Sequence, residues 1–399
     1  MRKAIYALLA ASMLAGCAGQ YSNEPHTLKP IDAAEQSVRL TQPPASVTLA
    51  DQNVLFWKDD QRSSRFRDME SWFAGHEIPA SPNAQSFDNG EALPAEMQAQ
   101  IDAFVADTNA AGFMVLQNGK LRHSSFGLGF GPDQRWTSFS VAKSFTSTLL
   151  GAALKDGAIG SLDDPVVMYL PEMAGSAYDS VTVRQIATMT SGVKWNENYS
   201  DPDSDVAMMA SIVAAPGEDA IVTQLKALPR EAPPGEKFVY KTGETNLLGV
   251  LVERAVGTNL AVYAKARIVD PAGFTSPMFW MIEPSGRNIG GCCLSLTLED
   301  YARMGQFALE GGRGVVPDGW FREAGAEQVS FGDAGFGYGY QWWTFPRGAY
   351  AAQGIFGQAI LIIPSEELVI ATVANWPTAT NSTNRMKFLQ LANAIAEGA

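Results

Sequence analysis

Strand signals stand near both ends of this chain with helical signals between them, and few folds satisfy that arrangement. Early on, Gly112-Phe-Met-Val-Leu-Gln117 and Lys120-Leu-Arg-His-Ser-Ser-Phe126 flank Asn118-Gly119, a strong signal for a two-residue hairpin because both turn positions need positive φ. Late on, Gly335–Trp343, Ile360–Ile363 and Leu368–Val373 bracket turn signals at Pro346-Arg347-Gly348 and Pro364–Glu367. Apolar residues at helical spacing predict helices over Pro94–Thr108, Thr182–Met189, Glu244–Val256 and Thr383–Ile395. Strands from the two ends must pair with each other. The predicted class is therefore α+β: an antiparallel sheet flanked by helices as an α/β sandwich, with a mostly helical insertion over about residues 146–284. The Gly-x-Gly-x-Gly runs at 127–131 and 335–339 read as tight strand turns, since no helix opens directly after them.

The first sixteen residues read as an export signal, with Arg2 and Lys3 ahead of an apolar run and small residues. Leu14-Ala-Gly-Cys17 resembles the lipobox of bacterial lipoproteins. The resemblance implies lipidation of Cys17 and a periplasmic protein anchored to a membrane. Without aspartate at position 18, the outer membrane is the implied destination. Residues 17–46 are polar and proline-rich and predict a flexible tether. Residues 47–93 hold Phe56, Trp57, Phe66, Trp72 and Phe73 among charges and predict an extension packed on a main domain over 94–399. Loss of Arg2 and Lys3 takes the formal charge from −13 to −15, which argues against nucleic acid as a partner. The two remaining cysteines, Cys292 and Cys293, are adjacent, so no disulfide is predicted. No zinc-ligand spacing is present, and neither metal nor cofactor is expected.

The chemistry centres on Ser140-Val-Ala-Lys143, which puts a hydroxyl and an amine one helical turn apart at the start of an apolar helix. A serine, histidine and aspartate scheme finds little support. The chain has three histidines: His26 lies in the tether, His76 in the irregular extension and His123 mid-strand. Proton transfer then falls to lysine and to a tyrosine, and Tyr240 stands just before a predicted helix in Pro234-Gly-Glu-Lys-Phe-Val-Tyr-Lys-Thr-Gly. Its neighbours Lys237 and Lys241 are expected to face solvent.

On these residues the chain resembles the serine β-lactamase and penicillin-binding-protein superfamily over about residues 95–399. Ser140–Lys143 matches its S-x-x-K, and Tyr240 its Y-x-N tyrosine. Asp163-Asp-Pro165, Val183–Gly192 and Gly290-Gly-Cys-Cys-Leu-Ser295 recur in order. Tyr240–Thr245, Ser191–Tyr199 and Gly354-Ile-Phe-Gly-Gln358 look closest to the 6-aminohexanoate-dimer hydrolase group of amidases and esterases. The resemblance implies Ser140 as nucleophile, Lys143 and Tyr240 as general acid and base, and backbone N–H groups of Ser140 and Ile355 as the oxyanion hole. By position it adds Tyr199, Trp343 and Gly354 as substrate contacts. Two departures weigh against penicillin recognition: Thr242 stands where Y-x-N has asparagine, and Ala352-Gln-Gly-Ile355 replaces K-T-G. The expected function is hydrolysis of small esters or amides. The alternatives are a D-Ala-D-Ala peptidase or weak β-lactamase, and a non-catalytic envelope protein of the same fold.

Overall fold

The computed structural model describes residues 32–332 and 335–398, so the expected leader and Cys17 lie outside the described residues. Eight antiparallel strands form the main sheet in the order Lys120–Phe126, Ala110–Gln117, Leu368–Ala374, Ala359–Ile363, Tyr350–Gln353, Trp343–Thr344, Gly337–Tyr338 and Val329–Ser330. The two ends of the chain meet where Ala110–Gln117 pairs with Leu368–Ala374. The hairpin turn takes φ of 52° at Asn118 and 70° at Gly119, as the dipeptide requires.

Both faces of this sheet are covered, and the period-two pattern of its strands divides the core. Phe113, Val115, Leu361, Ile363, Leu368 and Ile370 face the helices Ala95–Asp107 and Ser382–Glu397. Met114, Leu116, Ile360, Ile362, Val369 and Ala371 face the larger core, where helices Ala142–Lys155, Thr242–Val256 and Leu298–Leu309 pack. Helix Leu298–Leu309 lies so close to the sheet that a side chain at Gly305 would collide with Val369 and Ile360.

Four sequence expectations need correction. A second antiparallel sheet was not foreseen: Arg39–Thr41, Gly75–Ile78, Met278–Met281, Leu294–Leu296 and Trp136–Thr137, in that order. Its strands have four residues or fewer, too short to show a period. The predicted tether ends early, because Asp32–Ser37 is helical and Arg39–Thr41 pairs with Gly75–Glu77. Gly335–Trp343 is not one strand. Gln341 takes φ of 63°, and its side chain turns inward to bond the carbonyls of Ile186 and Ala187 at 3.1 and 2.9 Å. Finally, Cys292 and Cys293 are joined in a disulfide; the left-handed φ of 81° at Cys293 turns the chain between them.

The extension over 47–93 belongs to the larger core, to which it contributes Trp57, Phe66, Met69, Phe73 and Ile78.

Candidate active site

Strand Trp136–Thr137 delivers the chain to a 3₁₀ turn, Phe139–Val141, that runs into helix Ala142–Lys155. Ser140 sits in that turn, partly exposed between buried neighbours. Phe139 holds φ of 44°, and Phe356, next to Ile355, holds 58°; bulky side chains rarely occupy this region, and doing so costs on the order of 1–3 kcal/mol. The two rings meet at 5.4 Å, and Phe66 of the extension packs on Phe139 at 5.0 Å and on Phe356 at 5.5 Å. One aromatic cluster thus clamps the backbone on both sides of the site. Phe66→Ala should cost about 3–5 kcal/mol of stability and lower turnover in the protein that remains folded, read from thermal unfolding and from rates normalised to folded protein. Unchanged turnover would show that the clamp is structural only.

Lys143 lies one turn further, 1% exposed. Its Nζ donates to Ser140 Oγ at 3.2 Å, to Thr242 Oγ1 at 2.9 Å and to the Gly291 carbonyl at 2.7 Å. The Gly291 loop is held in turn: its N–H donates to Asn246 Oδ1 at 2.7 Å, while Thr146 Oγ1 donates to the Gly290 carbonyl at 2.7 Å. Burial pushes the Lys143 amine down to about 8, with the Glu197 carboxylate acting in the opposite sense.

Tyr240 precedes helix Thr242–Val256. Its ring lies 5.1 Å from Lys143 Nζ and stacks on Trp343 at 5.5 Å. Burial pushes its phenol well up, the Glu197 carboxylate adds to this, and a hydrogen bond with Ser140 opposes it. The resting form is the neutral phenol.

Glu197 is the residue that sequence reasoning missed. It accepts the Thr242 N–H at 2.9 Å and the Tyr199 hydroxyl at 2.9 Å, and it bonds the Thr242 hydroxyl and the Trp195 indole. Thr242 therefore links this carboxylate to Lys143, which gives the threonine in place of asparagine a physical role. Glu197 belongs to the Ser191–Tyr199 segment used for the resemblance, but an acid in a polar loop looks like any solvated charge. Glu197→Gln removes the carboxylate that raises the amine. The acid limb of a kcat/KM profile should then move to lower pH, and an unmoved limb would uncouple the two groups.

A cavity of about 440 Å³ opens at Ser140. Thr242, Tyr199, Ile355, Gly291 and the cysteine pair line it near the serine. The rest of its lining is mostly apolar, with Leu49, Val54, Leu55 and Phe73 from the extension and Val206, Met208 and Ile221 from the insertion, interrupted by Gln52, Asn53, Ser211 and Glu283. The structure thus gathers Ser140, Lys143, Tyr240, Tyr199, Trp343, Gly354 and Ile355 around one site, with Trp343 packed behind Tyr240. Lys241 is corrected from solvent to interior. It is 0% exposed and ion-paired with Glu244 at 3.6 Å, an acid that also accepts from Tyr178 at 3.2 Å. Lys237 pairs with Glu231 at the surface.

Comparison with known proteins finds relatives of this chain by sequence and by fold. The sequence profile of a family described as Beta-lactamase matches residues 97–394. A 6-aminohexanoate-dimer hydrolase of Paenarthrobacter ureafaciens is 30% identical over 330 residues, covering 74% of this chain and 83% of that protein. Among solved structures, a Bacillus anthracis protein assigned as a 6-aminohexanoate-dimer hydrolase overlays with a TM-score of 0.75 at 20% identity, covering 90% of this chain and 98% of its own. A class C β-lactamase mutant overlays with a TM-score of 0.56 at 15% identity, covering 76% and 98%. These last two likenesses concern the fold.

Proposed function

The chain belongs to the beta-lactamase family of serine hydrolases, and from that premise we propose that it cleaves small linear esters or amides through an acyl-enzyme on Ser140. The observation that carries this reading is the contact of Lys143 Nζ with Ser140 Oγ at 3.2 Å, made by an amine whose burial brings it to about 8.

In the proposed sequence the free amine of Lys143 takes the Ser140 proton as Oγ bonds the substrate carbonyl carbon. The developing oxyanion is met by the backbone N–H groups of Ser140 and Ile355, the former at the start of a helix. As the C–O or C–N bond breaks, Tyr240 gives its proton to the leaving atom and is resupplied by Lys143. Water then attacks the acyl carbon, its proton passes back through the same pair, and Ser140 leaves. With its phenol pushed up, Tyr240 relays protons, and the base is the free-amine form of Lys143, whose share grows as pH rises toward about 8.

The mostly apolar lining of the cavity supports an unbranched aliphatic acyl chain. Relatives named for a linear ω-amino acid dimer support the amide half of the reading. The stretch Ala352-Gln-Gly-Ile355 at the K-T-G position carries no lysine, which counts against the β-lactam alternative. We also propose that Cys17 anchors the enzyme in the outer membrane, on the strength of the leader sequence.

The reading is tested with short-chain p-nitrophenyl esters and the protein lacking residues 1–17. Turnover with an acyl adduct on the peptide containing Ser140, detected by mass spectrometry, is the expected result. Absence of both turnover and adduct would overturn it.

A further inference from the structure

The disulfide between Cys292 and Cys293 stands in the wall of the cavity that opens at Ser140, next to Gly291 in the same wall. The Gly291 carbonyl accepts from Lys143 Nζ at 2.7 Å, and Thr242 Oγ1 lies 2.9 Å from the same nitrogen. A free amine offers two N–H bonds and one lone pair. The Thr242 hydroxyl gives its own proton to Glu197, so toward the amine it is an acceptor, as the Gly291 carbonyl must be. With both N–H bonds engaged in this way, the lone pair is left for the Ser140 proton 3.2 Å away. The carbonyl beside the disulfide therefore aims the base.

The two sulfur-bearing residues are not held alike. Cys293 is 2% exposed and belongs to the larger core. Its carbonyl accepts the Met281 N–H at 3.2 Å, and Leu294 after it is tied twice to Ser138, through a carbonyl that accepts the Ser138 N–H at 2.7 Å and an N–H that donates to Ser138 Oγ at 2.9 Å. Cys292 is half-buried, and its N–H reaches the Ile289 carbonyl at a longer 3.3 Å. Cys293 also holds φ of 81°, a region that a cysteine seldom takes. Two thiols cannot stay at the separation of a sulfur–sulfur bond, so reduction forces the sulfurs apart. With Cys293 fixed by core and sheet, the displacement falls on Cys292 and, through the backbone, on Gly291.

We propose that this disulfide is a redox modification site in the active-site wall, opened by a dithiol and closed by a disulfide oxidant, and that opening it lowers turnover by loosening the Gly291 carbonyl from Lys143. This rests on the serine-hydrolase reading and adds a control to it. In the exchange, one thiolate of the dithiol attacks the more accessible sulfur, on Cys292; the bond to Cys293 breaks and Cys293 takes up a proton. The second thiolate then attacks the reagent's own sulfur in the mixed disulfide, Cys292 leaves as a thiol, and the reagent departs as its cyclic disulfide. Two electrons and two protons pass from the dithiol to the pair.

In protein purified in air, the peptide carrying both cysteines should take up no iodoacetamide, and after dithiothreitol it should be alkylated at both, read by mass spectrometry. Once the reagent is removed under nitrogen, kcat for a short-chain p-nitrophenyl ester should be about 3- to 10-fold lower, the scale of one lost hydrogen bond, and glutathione disulfide should restore it. Cys292→Ala/Cys293→Ala should turn over at the reduced rate whichever reagent is used. Amide hydrogen exchange over residues 290–293 should quicken in the dithiol form. Free thiols in the untreated protein, an unchanged kcat after demonstrated reduction, or an equal fall with dithiothreitol in the double variant would overturn the proposal while leaving the hydrolase reading intact. If wild type turns over no ester in either state, the hydrolase reading fails and the exchange measurement stands alone: faster exchange on reduction would uphold the loosening of Gly291, and equal exchange in both states would overturn it.

Discussion

Ser140→Ala should lower kcat for a short-chain ester by about 10⁴- to 10⁶-fold, the scale on which loss of a nucleophile acts when its partners form one catalytic unit. The fold should tolerate the change. Ser140 is partly exposed, and its loss leaves Lys143 Nζ bonded to Thr242 and to the Gly291 carbonyl at 2.9 and 2.7 Å. The melting temperature should stay within a few degrees of wild type, consistent with the small effect of a substitution that opens no core cavity. Rates and a mass spectrum of the trapped adduct together provide the check. More than about 1% residual turnover, or an adduct on another residue, would remove Ser140 from its role.

The second large effect concerns Lys143. Lys143→Met should cost about 10²- to 10⁴-fold in kcat, as for loss of a positioned general base. It should also abolish a pH dependence that identifies the group. Burial disfavours the ammonium form, so the folded-state value of about 8 lies below the 10.5 of the free side chain. Only the free amine can accept the serine proton, so wild-type kcat/KM should rise with pH through about 8 and flatten above it. A wild-type profile flat from pH 6 to 9 would show that another group is the base. The same shift acts on stability with a definite sign. Between about 8 and 10.5 the unfolded chain holds the proton that the folded chain has lost, so this group makes stability rise with pH across that window. At lower pH the folded protein carries the full cost of a buried ammonium.

Local features of the sequence were the legible ones. Asn118-Gly119 specified its own turn, and the spacing of Ser140 and Lys143 specified their contact, because both depend on backbone geometry over a few residues. The paired faces of Ile360–Ile363 and Leu368–Val373 were legible as strands because each is a run of β-branched and apolar residues. What escaped is defined by partners distant in the chain. Glu197 matters because Thr242 comes to it, 45 positions later. Lys241 is interior because Glu244 is buried beside it and Tyr178 closes over that acid. Gln341 interrupts an apparent strand because its side chain ties helices together: Thr245 Oγ1 donates to it at 2.7 Å, while Ser144 Oγ bonds its carbonyl at 2.7 Å. A short strand such as Arg39–Thr41 carries no periodicity and exists through its partner Gly75–Ile78.

The apolar wall formed by Leu49, Val54, Leu55 and Phe73 lies ahead of residue 97, where the match to the family profile starts. On the proposed reading, part of the acyl wall is written ahead of the stretch that carries the chemistry, and the remainder, Val206, Met208 and Ile221, within it. An exchange of residues 47–75 between relatives should shift the proposed acyl preference in part, while serine, lysine and tyrosine stay as they are. Divergence within such a lineage can proceed by rewriting that leading segment, provided that Phe66 keeps its place between Phe139 and Phe356 and that Trp57 and Met69 stay in the core.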